Sequence, residues 1–171
     1  ISPKSLSESL QMIVDDLVIA LSANRITLIT VDTEDRQILE FVKGGSGSHE
    51  VVNVEFDELE EGLAGWVLRE GKPTLSSKSE PDPRESAAVQ RRRIETNCGD
   101  IIVAPLNYGE RVLGVLTAIN QVDDKDFTQQ DVDLMVTITN QVAVTIENVR
   151  LILSLQESEK RYRNLFERMP I

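Results

Sequence analysis

The chain has 171 residues, 40% of them apolar, and a formal net charge of −11. That length fits one domain of ordinary size plus an appendage, with enough apolar residues to bury a real core. The acidic balance argues against a nucleic-acid or anionic-membrane surface, no apolar run approaches the ~18 residues of a membrane span, and the single cysteine, Cys98, excludes an internal disulfide and suits a reducing cytoplasm.

The sequence opens on Ile1 rather than Met, which reads as a piece of a longer protein. Leu6, Leu10, Ile13, Leu17 and Leu21 recur every three or four residues and predict a helix with one apolar face. Ile26–Val31 and Ile38–Val42 read as two strands joined by the polar turn 32–36, a first hairpin. Gly44 to His49 has flexible-loop composition. A phosphate cradle would need a helix N-terminus after such a loop, whereas Val51 to Phe56 alternates like a strand. His49 is the only histidine and lies far from Cys98, so no metal set is visible.

Leu63, Trp66 and Val67 share a helical face, with Gly71 as the stop and Pro73 beyond it. Thr74–Ser77 is then a short strand, and residues 79–85 form a proline-containing loop. A helix over 86–95 has Ser86 as its cap. Arg91, Arg92 and Arg93 point in different directions on that helix and read as a solvated face. Cys98 has no histidine beside it in sequence and reads as a small buried residue.

Two apolar runs, Ile101–Leu106 and Val112–Asn120, flank a polar break at Gly109 and predict a hairpin. Both faces of the second run are mostly apolar, so layers are expected on both sides of the sheet. Pro105 lacks an N–H and must face a bulge or an edge. Thr128 and Asp131 can form a capping box, with Phe127 and Val132 as a hydrophobic staple. From there Met135, Ile138, Val142, Ile146, Val149 and Leu153 keep helical spacing with no glycine or proline until Pro170. A pattern this long predicts a helix that leaves its own domain and pairs in a parallel homodimer, with Val142 and Val149 at the interface. The fold class expected is α+β: an antiparallel sheet of about five to six strands flanked by helices, with a long C-terminal helix.

Gly62-Leu63-Ala64-Gly65-Trp66-Val67, Gly71-Lys72-Pro73, Asp82-Pro83-Arg84, Ala104-Pro105-Leu106 and Leu113-Gly114-Val115-Leu116, closed by Phe127 and Asp131, resemble a GAF domain in order and spacing. The resemblance spans Leu6 to Leu151, so residues 1–151 are assigned to that domain. Residues 152–171 read as a linker helix running into a segment, from Ser158 onward, that resembles the opening of a PAS domain. GAF followed by PAS is the layout of sensor proteins. It implies a sensor histidine kinase as the parent, a two-component phosphorelay phosphotransferase, or less often a cyclic-dinucleotide enzyme or a transcription activator.

What the resemblance implies for ligands can be read residue by residue. The NKFDE motif of cyclic-nucleotide-binding members is matched at Asn120, Phe127 and Asp131, but Gln121 stands for its lysine and Val132 for its glutamate. Bilin-binding members attach the pigment to a cysteine followed by histidine, whereas Cys98 is followed by Gly99. Haem would need an axial histidine, and only His49 is present. All three cofactors are disfavoured, and the ligand remains unassigned.

Two functions follow. In one, a small effector sits between the sheet and the segment Leu75–Cys98, walled by Trp66, Thr74, Ser76, Cys98, Thr117 and Ile119, and shifts the final helix. In the other, the domain is a ligand-free dimerising relay spacer, as in a diguanylate cyclase or a transcription activator. This segment shows no nucleophile–base pair and no metal set, so no catalytic residues are assigned.

Overall fold

The computed structural model describes residues 3–47 and 54–170. In chain order the elements are α1 (Pro3–Leu21), β1 (Arg25–Asp32), β2 (Gln37–Gly45), α2 (Phe56–Glu60), α3 (Leu63–Glu70), β3 (Thr74–Ser76), α4 (Ala87–Glu95), β4 (Cys98–Tyr108), β5 (Arg111–Gln121) and α5 (Gln129–Glu167). The strands form one antiparallel sheet in the order β2-β1-β5-β4-β3. The β4–β5 hairpin sits at its centre, as expected for two runs that are apolar on both sides.

Each face of the sheet carries its own core. On one, α1 and α5 cover Ile26, Leu28, Ile102, Ala104, Leu116 and Ala118. On the other, α2 and α3 cover Ile29, Val31, Ile101, Val103 and Val115. The alternation along β4 and β5 is what deals neighbouring residues to opposite layers.

Two irregularities shape the sheet. Pro105 pairs with Val115 and Asn107 with Val112, so Leu113 and Gly114 together oppose Leu106. This bulge accommodates the missing N–H of Pro105, as its chemistry requires. It also turns Leu113 into the layer of α1 and α5, against simple alternation. A second bulge lies between Thr30 and Val31 and their partners on β2.

The helix signals act as expected at most ends. Gly71 adopts φ 67° and donates its N–H to Val67 O, closing α3. Ser86 accepts from Val89 N and caps α4. Thr128 and Asp131 complete their capping box, and Phe127 and Val132 are both buried beside it.

Three expectations are corrected. Of the strand proposed for residues 51–56, positions 51–53 and also His49 lie outside the described residues, while Phe56 opens α2. Asp57 and Glu58 favour the helix N-terminus, and Phe56 and Leu59, three apart, bury together. The sheet therefore has five strands among the described residues. Gly44 and Gly45 belong to β2 rather than to a loop. A Cβ on Gly44 would lie 2.7 Å from Val14 Cγ1, so glycine lets α1 approach the strand. Finally, Val142 and Val149 are 3% and 9% exposed within a single chain. They pack in the domain's own core and are not free to meet a partner.

Candidate functional site

The polar chemistry of the described residues gathers where β3, the loop after it, α4 and the start of β4 meet. Asp82 accepts from Arg84 through Nε at 2.9 Å and Nη2 at 2.7 Å, and from the Arg84 backbone N–H at 3.0 Å. The remaining Arg84 nitrogen, Nη1, donates to Thr74 Oγ1 at 2.6 Å. The guanidinium also lies 4.8 Å from the centre of the Trp66 ring, a cation–π contact. These contacts hold the Asp82-Pro83-Arg84 turn against α3 and β3. The Arg84 hydrogen bonds, with one from Ser76, hold the Asp82 carboxyl far below the usual carboxylate range despite its burial.

A second arginine ties α4 to the sheet edge. Arg93 Nη1 donates to Glu85 Oε1 at 2.7 Å and to Ser76 Oγ at 2.8 Å, while Nη2 donates to the Gly99 carbonyl at 2.9 Å. The Glu85 side chain is only 2% exposed, so this pair is desolvated. Gln90 Nε2 adds bonds to the carbonyls of Asp82 and Glu85. Ser86, Gln90 and Arg93 fall at i, i+4 and i+7, so one face of α4 is polar and turned inward.

Beside this network opens a cleft of about 320 Å³. Pro81, Ile94 and Val122 supply apolar wall; Lys78, Gln90, Arg93 and Asn97 supply polar groups; Cys98 also lines it. Burial is the first cause that pushes the Cys98 thiol up, with Arg93 opposing it, so the thiol is protonated at neutral pH. Asp100 joins the cleft wall to α5: it accepts from Lys78 N at 2.9 Å and from Phe127 N at 3.0 Å. Lys78 Nζ in turn reaches Val122 O at 2.9 Å and Asp126 at 2.8 Å.

Of the six wall residues expected, only Cys98 lines this cleft. Thr74 and Ser76 stand in the network, their hydroxyls occupied by Arg84 and Arg93. Trp66 is half-buried beneath Arg84. Thr117 and Ile119 face the layer of α2 and α3, paired across the sheet with Val103 and Ile101. The sequence alone placed Asp82 only within the Asp82-Pro83-Arg84 motif and Arg93 on a solvated face, and assigned no role to Glu85 or Gln90. Arg93 in particular is not solvated like Arg91 and Arg92. The i, i+4, i+7 spacing from Ser86 was the available signal, but a polar inward face carries no apolar periodicity.

The remaining motif positions have structural work. Asn120 is 2% exposed. Its Oδ1 accepts from Asn24 N at 3.1 Å and its Nδ2 donates to Lys125 O at 2.7 Å. Asp131 is held in the capping box. No group of three or more potential metal ligands occurs among the described residues, and among them no helix is long and apolar enough to cross a membrane.

The site thus sits at one edge of an antiparallel five-stranded sheet that is covered by α1 and α5 on one face and by α2 and α3 on the other. The family model for the GAF domain matches residues 3–147, and the chain belongs to that family of sensory and regulatory modules. No curated protein matches it significantly. Among solved structures it is similar to the GAF domain of an Acinetobacter phosphoenolpyruvate-protein phosphotransferase, at 20% identity and a TM-score of 0.67, over 87% of this chain and 86% of that one. The GAF domain of the Coxiella burnetii phosphoenolpyruvate-protein phosphotransferase aligns at 19% identity and a TM-score of 0.69, over 87% and 86% of the two chains. A GAF domain/HD domain protein of Geobacter sulfurreducens aligns at 12% identity and a TM-score of 0.68, over 85% and 94%. At these identities the likeness is one of fold.

Proposed function

We propose that this GAF domain is a cytoplasmic regulatory module of a sensor histidine kinase. A small effector occupies the cleft beside Cys98, and α5, paired with that of a second chain, carries the change to a following PAS domain. The observation that carries this reading is the continuity of α5. It is a single 39-residue helix whose first half is built into the domain core, through Val132, Met135, Val142, Ile146 and Val149. Its second half projects from the domain with Leu155, Tyr162 and Leu165 exposed. A displacement at the domain is therefore felt along about 25 Å of projecting helix. Asp100 supports the coupling, because it bonds both Lys78 on the cleft wall and the residue before the α5 cap. Differential binding to two positions of that wall is what would shift the helix.

Native mass spectrometry of the purified chain, with a denaturing spectrum beside it, tests the effector. Excess mass that vanishes on denaturation, and is absent from an Ile94→Trp variant that fills the cleft, is the expected result. No excess mass, together with no thermal shift across a panel of small metabolites, overturns it. The second reading, a ligand-free relay spacer, then takes its place. Its support is the packing of the sheet face, where Val67, Val103 and Val115 are at most 1% exposed, and the absence of any unpartnered buried side-chain polar atom among the described residues.

A further inference from the structure

A second hollow, of about 640 Å³, opens at the far end of β5 from the cleft. The cleft takes Val122, just past the last residue of that strand, whereas this hollow takes Arg111, its first. The 11 residues of the strand set the two sites roughly 33 Å apart. Arg69, Arg111 and Arg150 bring three guanidinium groups to its wall, from α3, β5 and α5. Asp32, Glu34, Glu70 and Glu110 bring four carboxylates. No two of these groups pair with each other: Arg111 and Arg150 pair with Glu147 and Glu40, and Arg69 has no acceptor among the described residues. So near a balance of charge favours neither a bare anion nor a bare cation. It suits a neutral molecule that carries both signs.

Three features define that molecule. Asp32 Oδ1 accepts from the backbone N–H of Glu34 and of Asp35, both at 3.0 Å, which fixes the carboxylate at the head of the β1–β2 turn. Its Oδ2 has no donor among the described residues and is open to an ammonium. Arg69, in the last turn of α3, offers a whole guanidinium fork, whose planar geometry matches a carboxylate. Leu39 and Leu68 supply apolar wall, and Leu39 is 49% exposed on β2. The hollow also touches the fastenings of α5. Arg111 Nη2 donates to Glu147 Oε1 at 2.8 Å, and Arg150 Nη2 donates to Glu40 Oε2 at 3.1 Å. Glu40 is held in turn by the hydroxyl of fully buried Thr30. Glu147 and Arg150 flank Val149, the last buried residue of α5. Each of these two arginines uses one N–H in its pair and keeps four.

We propose that this hollow is a second ligand site, which takes a free α-amino acid with an apolar side chain, and that the ligand carboxylate competes with Glu147 for Arg111. The carboxylate meets Arg69 and Arg111, the ammonium meets Asp32, and the side chain covers Leu39. The site is separate from the effector cleft and stands whether or not that cleft is filled. The Arg111 side chain is 63% exposed, so its pair with Glu147 holds weakly. Replacing Glu147 by a ligand carboxylate therefore costs little, and it loosens α5 where the helix leaves the domain.

The test is thermal melting and calorimetric titration of the whole chain with each of the twenty amino acids, up to about 10 mM. At least one with an apolar side chain should bind saturably and raise the melting midpoint. Its N-acetyl and carboxamide forms, which each lack one charge, should not bind. Arg69→Gln and Asp32→Asn should each weaken binding by about tenfold or more; melting without ligand confirms that both are folded. Ile94→Trp, in the cleft, should still bind. Glu147→Gln releases Arg111 and should tighten binding by about threefold. No binding by any of the twenty, or equal binding of the N-acetyl form, overturns the site and leaves the effector cleft standing. Binding that persists in Arg69→Gln and is lost in Ile94→Trp assigns the amino acid to the cleft, which overturns the second site. An affinity that Glu147→Gln leaves unchanged overturns the competition for Arg111.

Discussion

Gly114 sets how closely β1 approaches β5. It pairs with Thr30, and a methyl placed on it would overlap the Ile29 carbonyl oxygen and lie 2.7 Å from Thr30 Cα. Both obstacles are backbone in the centre of the sheet, where neither can move aside. Gly114→Ala should therefore cost about 3 kcal/mol, read as a lower urea midpoint at unchanged slope. Asp82 shows the same dependence on neighbours through charge. Its carboxyl is held below the ordinary range chiefly by the Arg84 hydrogen bonds. A group depressed in the folded state stabilises fully above its unfolded value, near 4, and loses that contribution as pH falls towards its folded value. The urea midpoint should drop between pH 5 and pH 3 more in the wild type than in Asp82→Asn. Equal drops would show that the loss comes from other carboxylates.

At the scale of elements, α4 is fastened by a buried ion pair rather than by apolar area. None of its residues is buried, and it holds to β3 and β4 through Arg93, Glu85, Ser76 and Gly99. Arg93→Met leaves the 2%-exposed Glu85 side chain unpaired and should destabilise by about 3 kcal/mol, while Glu85→Leu with Arg93→Met should recover much of that. Urea unfolding of the three proteins checks it; a double variant as weak as the single would mean that the bonds to Ser76 and Gly99, not the charge, dominate. This element also shows why the candidate site was poorly legible. Its helix and cap were readable from Ser86 and the spacing to Glu95. Its inward polar face was not, because the partners of Arg93 come from three other segments.

Across the whole molecule, α5 separates core from surface. Val142→Asp and Val149→Asp each place a charge among residues buried within one chain, so cooperative thermal unfolding should be lost for each. Leu155→Asp, at a position 70% exposed, should keep the melting transition of the domain at low protein concentration. Three intact transitions would mean that α5 does not complete the core.

Local chemistry determined much of this protein in advance. The spacing of apolar residues gave α1, the β4–β5 hairpin and α5; Gly71, Ser86 and Thr128 marked helix ends; Pro105 required the bulge. These are short-range effects, settled by a few neighbouring dihedrals and hydrogen bonds. Which stripe of α5 faces the core was decided only by tertiary structure, because two apolar faces of one helix look alike until a sheet covers one of them. The same holds for α2, whose five residues are shorter than any periodicity can register, and for the network at Asp82 and Arg93. Its members are distant in sequence, and burial alone makes their pairing obligatory.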